Sequence, residues 1–235
     1  MIRRLALAAA LCTAASLPAL AQDSTRTSVD WDGYYTATVP CADCSGIETW
    51  LHLNDAGGTT HYELIETYLG KSDKPFVSKG KAVWNKDGSR LALKGKDENR
   101  VLFVSEGFAE LMGAGQKQPD KNSAPYRLSK VEAYAGLGQQ LLVSPARIKA
   151  DKGTVSFKGL VNFEHRMQGG HRSLRADVVI ACKAKTYTMP NISYFKGSFA
   201  HGLRLDFIKG NTNPPQKFAG KDDVFAQVAA AHCPK

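Results

Sequence analysis

The 235-residue chain is basic, with 31 Lys and Arg against 22 Asp and Glu and a formal charge of +9. Its lysines, Lys79, Lys81, Lys94, Lys96, Lys149, Lys152, Lys183 and Lys185 among them, are scattered, and no nucleic-acid motif accompanies them. The charge therefore reads as solvated strand faces and edge protection, which excludes a nucleic-acid binder and leaves loose attraction to anionic envelope surfaces.

The first residues have the layout of a secretory signal peptide over 1–21: the positive Met1-Ile2-Arg3-Arg4, an apolar run over 5–17 and the small-x-small Ala19-Leu20-Ala21. Pro18 ends the run short of the ~20 apolar residues that a membrane span needs, and no later segment reaches that length. Cys12 follows Leu11 where a lipidated cysteine wants a small residue. The expectation is a periplasmic protein without a lipid anchor, with secretion or surface display as the alternative. Residues 22–30 are expected to be a flexible mature N-terminus.

Beyond the signal the hydrophobic period is two. Residues 32–39, 47–53 and 60–69 read as strands. Val155, Phe157, Val161 and Phe163 alternate with polar residues. Leu174, Ala176, Val178, Ile180 and Cys182 fall on one face of another strand, and Leu203, Leu205 and Phe207 alternate with Arg204 and Asp206. Asn54-Asp55-Ala56-Gly57-Gly58, Lys86-Asp87-Gly88-Ser89 and Asp151-Lys152-Gly153 supply turns. The pattern predicts antiparallel β-structure, as a barrel or a sandwich. The stretch 113–125 is a long hairpin loop or a linker, and the domain boundary is placed near Lys130. One helix is expected near the end, with Asp222 and Asp223 at the positive end of its dipole and a stripe of Val224, Phe225, Val228 and Ala229.

Four cysteines follow the signal, Cys41, Cys44, Cys182 and Cys233. An even number in an exported chain suggests disulfides, with three possible connectivities. Cys41 and Cys44 admit three readings. Thioredoxin-like catalysis needs the first cysteine at a helix N-terminus, whereas Ile47 opens a strand. A structural zinc site needs four ligands and no second close pair supplies them, but copper(I) accepts two thiolates. A local disulfide is the default in an oxidising compartment, although so short a loop gains less than the ~3 kcal/mol of a 15-residue one. His52 and His61, on neighbouring strands, are read as surface residues. A Cys182–Cys233 bond would pin the terminal helix to the sheet, worth about 4 kcal/mol in the chain-entropy model.

No catalytic constellation is visible: Gly-x-Ser-x-Gly, His-Glu-x-x-His and a phosphate loop are all missing. His165, Arg166, His171, Arg172 and Arg175 around Gly169-Gly170 read as a solvated basic hairpin, since phosphate sites usually add a helix N-terminus. The chain is expected to be non-enzymatic and to require no cofactor.

Trp31-Asp32-Gly33-Tyr34-Tyr35, Pro40-Cys41-Ala42-Asp43-Cys44-Ser45-Gly46-Ile47, Leu51-His52-Leu53, Tyr62-Glu63-Leu64, Tyr68-Leu69-Gly70 and Gly80-Lys81-Ala82-Val83-Trp84 resemble the N-terminal domain of NlpE-type envelope lipoproteins. The resemblance implies a small lipocalin-like β-barrel over 31–130, linked to copper homeostasis and envelope-stress or surface sensing. It ties Cys41 and Cys44 to that copper and redox theme. The strand ending in Cys182-Lys183, the strand pair after it and the helix to Cys233 resemble the surface-adhesin protein E family. That resemblance implies a compact α+β domain over 131–235, with a disulfide between such cysteines and, in some members, binding to host matrix proteins.

The resulting expectation is a mainly β chain: a barrel carrying a Cys41–Cys44 site, then an antiparallel sheet with a C-terminal helix stapled by Cys182 and Cys233. It would handle copper or sense stress among envelope proteins. The alternatives are an adhesin acting on host matrix proteins through the second half, a thiol oxidoreductase, and a barrel that holds an apolar ligand.

Overall fold

The computed structural model describes residues 24–72, 74–96, 98–113, 115 and 119–234. The expected signal segment, with Cys12, lies outside them, as do residues 22 and 23. No helix among the described residues is long and apolar enough to cross a membrane.

Period-two patterning builds the first half. The strands β1 (Gly33–Val39), β2 (Ile47–Ala56), β3 (Thr59–Tyr68), β4 (Phe76–Trp84), β5 (Arg90–Lys94), β6 (Val101–Ser105), β7 (Phe108–Leu111) and β8 (Arg127–Gly136) pair in sequence, all antiparallel. β1 closes the barrel on β8 through Tyr34↔Val131, Tyr35↔Lys130 and Thr36↔Ser129. Alternate residues point inward. Tyr35, Leu51, Leu53, Leu64, Leu91, Leu93, Leu102 and Leu128 are essentially inaccessible. The barrel interior is therefore a packed core. Gly57 and Gly58, both at positive φ, make the tight β2–β3 turn that the sequence predicts. The stretch 113–125 falls between β7 and β8, which pair antiparallel, so it belongs to the barrel half and is not the linker between the halves. A short helix, α1 (Thr25–Ser28), sits across the end of the barrel that holds the β2–β3 and β4–β5 turns: Arg26 N–H donates to the Gly88 carbonyl at 3.1 Å and Trp31 Nε1 to the Arg26 carbonyl at 3.0 Å.

Strand β8 belongs to two sheets. Its first residues pair with β7 and β1, while Glu132–Gly136 pair with β9 (Gln139–Val143). The sequence division at 130/131 thus falls inside a single strand. From β9 the sheet continues through β11 (Thr154–Phe163), β12 (Ser173–Ala181), β13 (Thr186–Phe195) and β14 (Arg204–Lys209); β10 (Lys149–Asp151) pairs with β11 and β15 (Gln216–Lys217) with β13. One face, with Leu141, Val143, Val155, Phe157, Val161, Leu174, Val178 and Ile180, packs on α2 (Val224–His232) through Val224, Phe225 and Val228. Asp223 caps that helix by accepting from Phe225 N–H at 2.8 Å. The Cys182–Cys233 disulfide ties its far end to the sheet.

The alternation of Leu203, Leu205 and Phe207 predicts a half-buried strand, but these residues are 56, 39 and 48 % exposed. β14 is the last strand of the sheet, and among the described residues nothing buries that face of it.

The opposite face of the second sheet turns toward the barrel wall. Leu142, Leu160 and Ala200 pack with Trp50, Ile65 and Val131. The β13–β14 loop reaches into this seam. Phe199 and Ala200 hold positive φ (55° and 58°), a conformation that costs about 1–3 kcal/mol per non-glycine residue. Partners fix it: Phe199 N–H donates to Asn162 Oδ1 at 2.7 Å and Ala200 N–H to Ser173 Oγ at 2.9 Å. The Phe199 ring lies 5.6 Å from that of Trp50. Arg175 pairs with Glu48 across the seam, and His201 Nδ1 bonds Thr67 Oγ1.

Two outcomes test this account. Converting both Cys182 and Cys233 to Ser should lower stability by about 4 kcal/mol, the chain entropy of a loop closed over 51 positions. Thermal melting should fall by roughly 8–16 °C on the scaling for domains of this size. The second concerns acid. Burial, and then Arg175, push the His201 imidazole down to about 4, and its Nε2 has no hydrogen-bond partner among the described residues. Between pH 6.5 and 4 the unfolded chain holds a proton there that the folded chain refuses, so acidification favours unfolding, by up to about 3 kcal/mol. Denaturant melts at pH 7 and pH 4.5 should show this loss shrinking in His201→Gln.

Candidate functional site

The Cys41–Cys44 pair sits in the loop from β1 to β2, at the barrel end opposite α1. Val39 is the last residue of β1, and Pro40, lacking an N–H, cannot continue the ladder. The chain re-enters the sheet at Ile47 through Gly46. Gly46 is buried at φ +143°, and a Cβ there would come within 2.7 Å of Thr38 Cγ2. Only glycine fits. Two backbone bonds anchor the loop to the end of β3: Ser45 N–H to the Leu69 carbonyl at 3.2 Å and Leu69 N–H to the Gly46 carbonyl at 2.9 Å.

On this frame Cys41 and Cys44 are joined as a disulfide, both half-buried. Cys41 Sγ lies 3.5 Å from Asp43 Oδ1 and Cys44 Sγ 3.3 Å from the Gly46 carbonyl. A disulfide sulfur has no proton, so these are contacts that become thiol hydrogen bonds on reduction. The exposed Asp43 carboxylate pairs with Lys71 Nζ, from the β3–β4 connection. The two sulfurs and a carboxylate oxygen of Asp43 all lie within 4.8 Å of one another, a donor set of two soft atoms and one hard one.

The remaining residues singled out in the sequence lie elsewhere. His52 stacks on Tyr34 with ring centroids 4.0 Å apart on the outer wall, where burial lowers its pKa. Neither it nor His61 joins the thiol cluster. The basic hairpin is held by structural bonds. Arg166 donates to the Gly170 carbonyl at 2.6 Å, Arg172 to the Glu164 carbonyl at 2.9 Å, and His171 meets Phe163 and Tyr194 edge-on. The Cys182–Cys233 disulfide is at the foot of α2, within the second half. Sequence reasoning missed Lys71. Its position directly after the Tyr68-Leu69-Gly70 motif carries no signal until the β2–β3 register brings Tyr68 opposite Ile47.

The geometry makes Gly46 the residue to change. Gly46→Ala forces either the Thr38 side chain or the loop backbone to move, and it adds left-handed strain. We expect a loss of about 1–3 kcal/mol in urea melts and faster reduction of the Cys41–Cys44 bond by a dithiol, read by mass shift after alkylation.

Comparison with known proteins gives two matches. Residues 35–121 match the NlpE N-terminal domain, and residues 128–234 match Surface-adhesin protein E. Lipoprotein NlpE of Escherichia coli (strain K12) is 27 % identical over 116 residues, 49 % of this chain and 46 % of that protein. The chain therefore spans about half the length of that relative. Among solved structures, a putative lipoprotein from Shewanella oneidensis is 30 % identical, with a TM-score of 0.40, over 46 % of this chain and 95 % of the other. The Cpx pathway activator NlpE from Escherichia coli is 14 % identical, with a TM-score of 0.31, over 83 % and 99 %. By sequence, the first half of the chain is thus similar to the NlpE N-terminal domain, over 35–121, and the second half to Surface-adhesin protein E, over 128–234.

Proposed function

We propose that this chain is a non-enzymatic periplasmic protein, exported without a lipid anchor, that takes part in envelope-stress sensing by handling copper(I) at Cys41 and Cys44. The observation that carries the reading is the clustering of both sulfurs and the Asp43 carboxylate on a loop fixed by Gly46 and Leu69. The relative named as an activator of the Cpx pathway supports the sensing half of it and points to envelope proteins as partners.

The chemistry is a two-state switch. An external dithiol delivers two electrons and two protons to the disulfide, giving two thiols and an oxidised reductant. Each thiol releases its proton as a thiolate binds the metal, so capture of one copper(I) frees two protons. Asp43 stands beside Cys41 to receive the nearer one. Thioredoxin-like catalysis finds no support here, because a strand follows the motif and no helix N-terminus lowers the pKa of a thiol.

A second reading, a surface or secreted adhesin acting on host matrix proteins, rests on the match over 128–234. Protease treatment of intact cells separates the two, since an adhesin is cut and a periplasmic protein is spared. The metal reading is tested by anaerobic titration of the reduced full chain with copper(I) against a chromophoric chelator. The wild type should take one equivalent. Cys41→Ser/Cys44→Ser should take none at the same chelator strength, and equal uptake by both would remove the metal from the proposal.

A further inference from the structure

A cleft of about 920 Å³ separates the outer wall of the barrel from the second sheet. It exists only because β8 joins the two, so neither half forms it alone. On the barrel side it is bounded by the outward residues of β1 and β2, Thr36, Thr38, Glu48 and Trp50. On the sheet side the register aligns Lys158, Asp177, Asn191 and Lys209 in one polar row across β11 to β14, and Ser144, just past the end of β9, extends it by one more strand spacing. Four strand spacings make that row roughly 19 Å long.

The charges along the cleft are unevenly satisfied. Glu48 is taken by Arg175 and by Trp50 Nε1 at 3.2 Å. Asp177 accepts from Asn191 Nδ2 at 2.6 Å and faces Lys158 at 3.5 Å. Arg147, beside the Ser144 end, and Lys209, at the other end, also line the cleft, and neither has a carboxylate partner among the described residues. Both lining carboxylates are thus neutralised from within, while two cations are left open at opposite ends.

A compact anion cannot span that separation. A lipid tail does not suit a polar row, and a polyphosphate chain would run over Glu48 and Asp177. We propose that the cleft binds an extended acidic peptide segment of a partner protein, with Arg147 and Lys209 as its charge anchors and the exposed Phe207 as its apolar contact. Cationic clefts with partly apolar walls concentrate such ligands and orient them.

The test uses the full chain and a fluorescein-labelled 12-residue peptide of alternating Glu and Thr, followed by anisotropy. Saturable binding is expected. Arg147→Glu/Lys209→Glu should weaken it at least tenfold, whereas Lys94→Glu/Lys96→Glu, with the same charge change at the end of β5 and in the turn after it, should leave it within twofold. Cys41→Ser/Cys44→Ser should bind as the wild type does, so the result does not depend on the thiol site. Melting curves of the charge variants should match the wild type, because both altered pairs are exposed. Absence of saturable binding overturns the proposal. So does equal loss in both charge variants, or an oligothymidylate of equal charge binding as tightly as the peptide, since each reports general polyanion attraction.

Discussion

Strand β8 divides its backbone hydrogen bonds between two sheets. Its first half completes the barrel against β1 and β7, and its second half starts a new sheet against β9. Leu128 faces the barrel core, whereas three residues later Val131 is buried in the seam between the two halves. A flexible linker would leave the halves free to reorient, as chain segments with few crossing contacts usually do. A shared strand instead fixes the angle at which the second sheet leaves the barrel. The position of every residue in the cleft follows from that angle.

The seam then adds specificity at some cost in stability. Apolar contact among Trp50, Ile65, Val131, Leu142 and Leu160 supplies the attraction. The Arg175–Glu48 pair adds little net energy, because removing two charges from water consumes most of what their attraction returns. It does restrict register, since only one docking of the sheet brings a cation to Glu48. Phe199 and Ala200 act in the same sense. Their left-handed backbone persists because Asn162 and Ser173 accept their N–H groups and Phe199 finds Trp50. His201, neutral and buried with an orphaned nitrogen, makes the same junction sensitive to acid.

Much of this architecture is written in the sequence as periodicity. Inward residues of β1 to β8 and of β11 and β12 alternate as half-buried strands must, and Gly57-Gly58 marks its hairpin. The motif around Cys41 and the two later cysteines stand out by spacing alone. What the sequence hides is contact between distant faces. Trp50 and Ile65 point outward from the barrel, where alternation predicts solvent, yet they are buried because another sheet lies over them. Leu205 and Phe207 look buried by pattern but lie on the last strand of the sheet and stay partly exposed. Lys71 reaches Asp43 only through the β2–β3 register. The polar row of the cleft draws its members from β11 to β14 and from just past β9, and no local rule connects them.

The thiol loop shows which constraint holds a site together. Closing a loop of four residues with a disulfide removes only about 2 kcal/mol of chain entropy, far less than the longer Cys182–Cys233 closure. The S–S bond is therefore a minor part of what shapes the rim. Gly46, confined by Thr38, and the pair of bonds between Leu69 and residues 45 and 46 involve no sulfur atom, so breaking the S–S bond removes none of them directly. Reduction should then free two thiols without dissolving the loop that holds them, as a two-thiolate metal site requires. Leu69 also lines the cleft, so the backbone that anchors the thiols forms part of the wall facing the second sheet. The two sites share a rigid border, and a change at either that stays within its own side chains leaves the other in place.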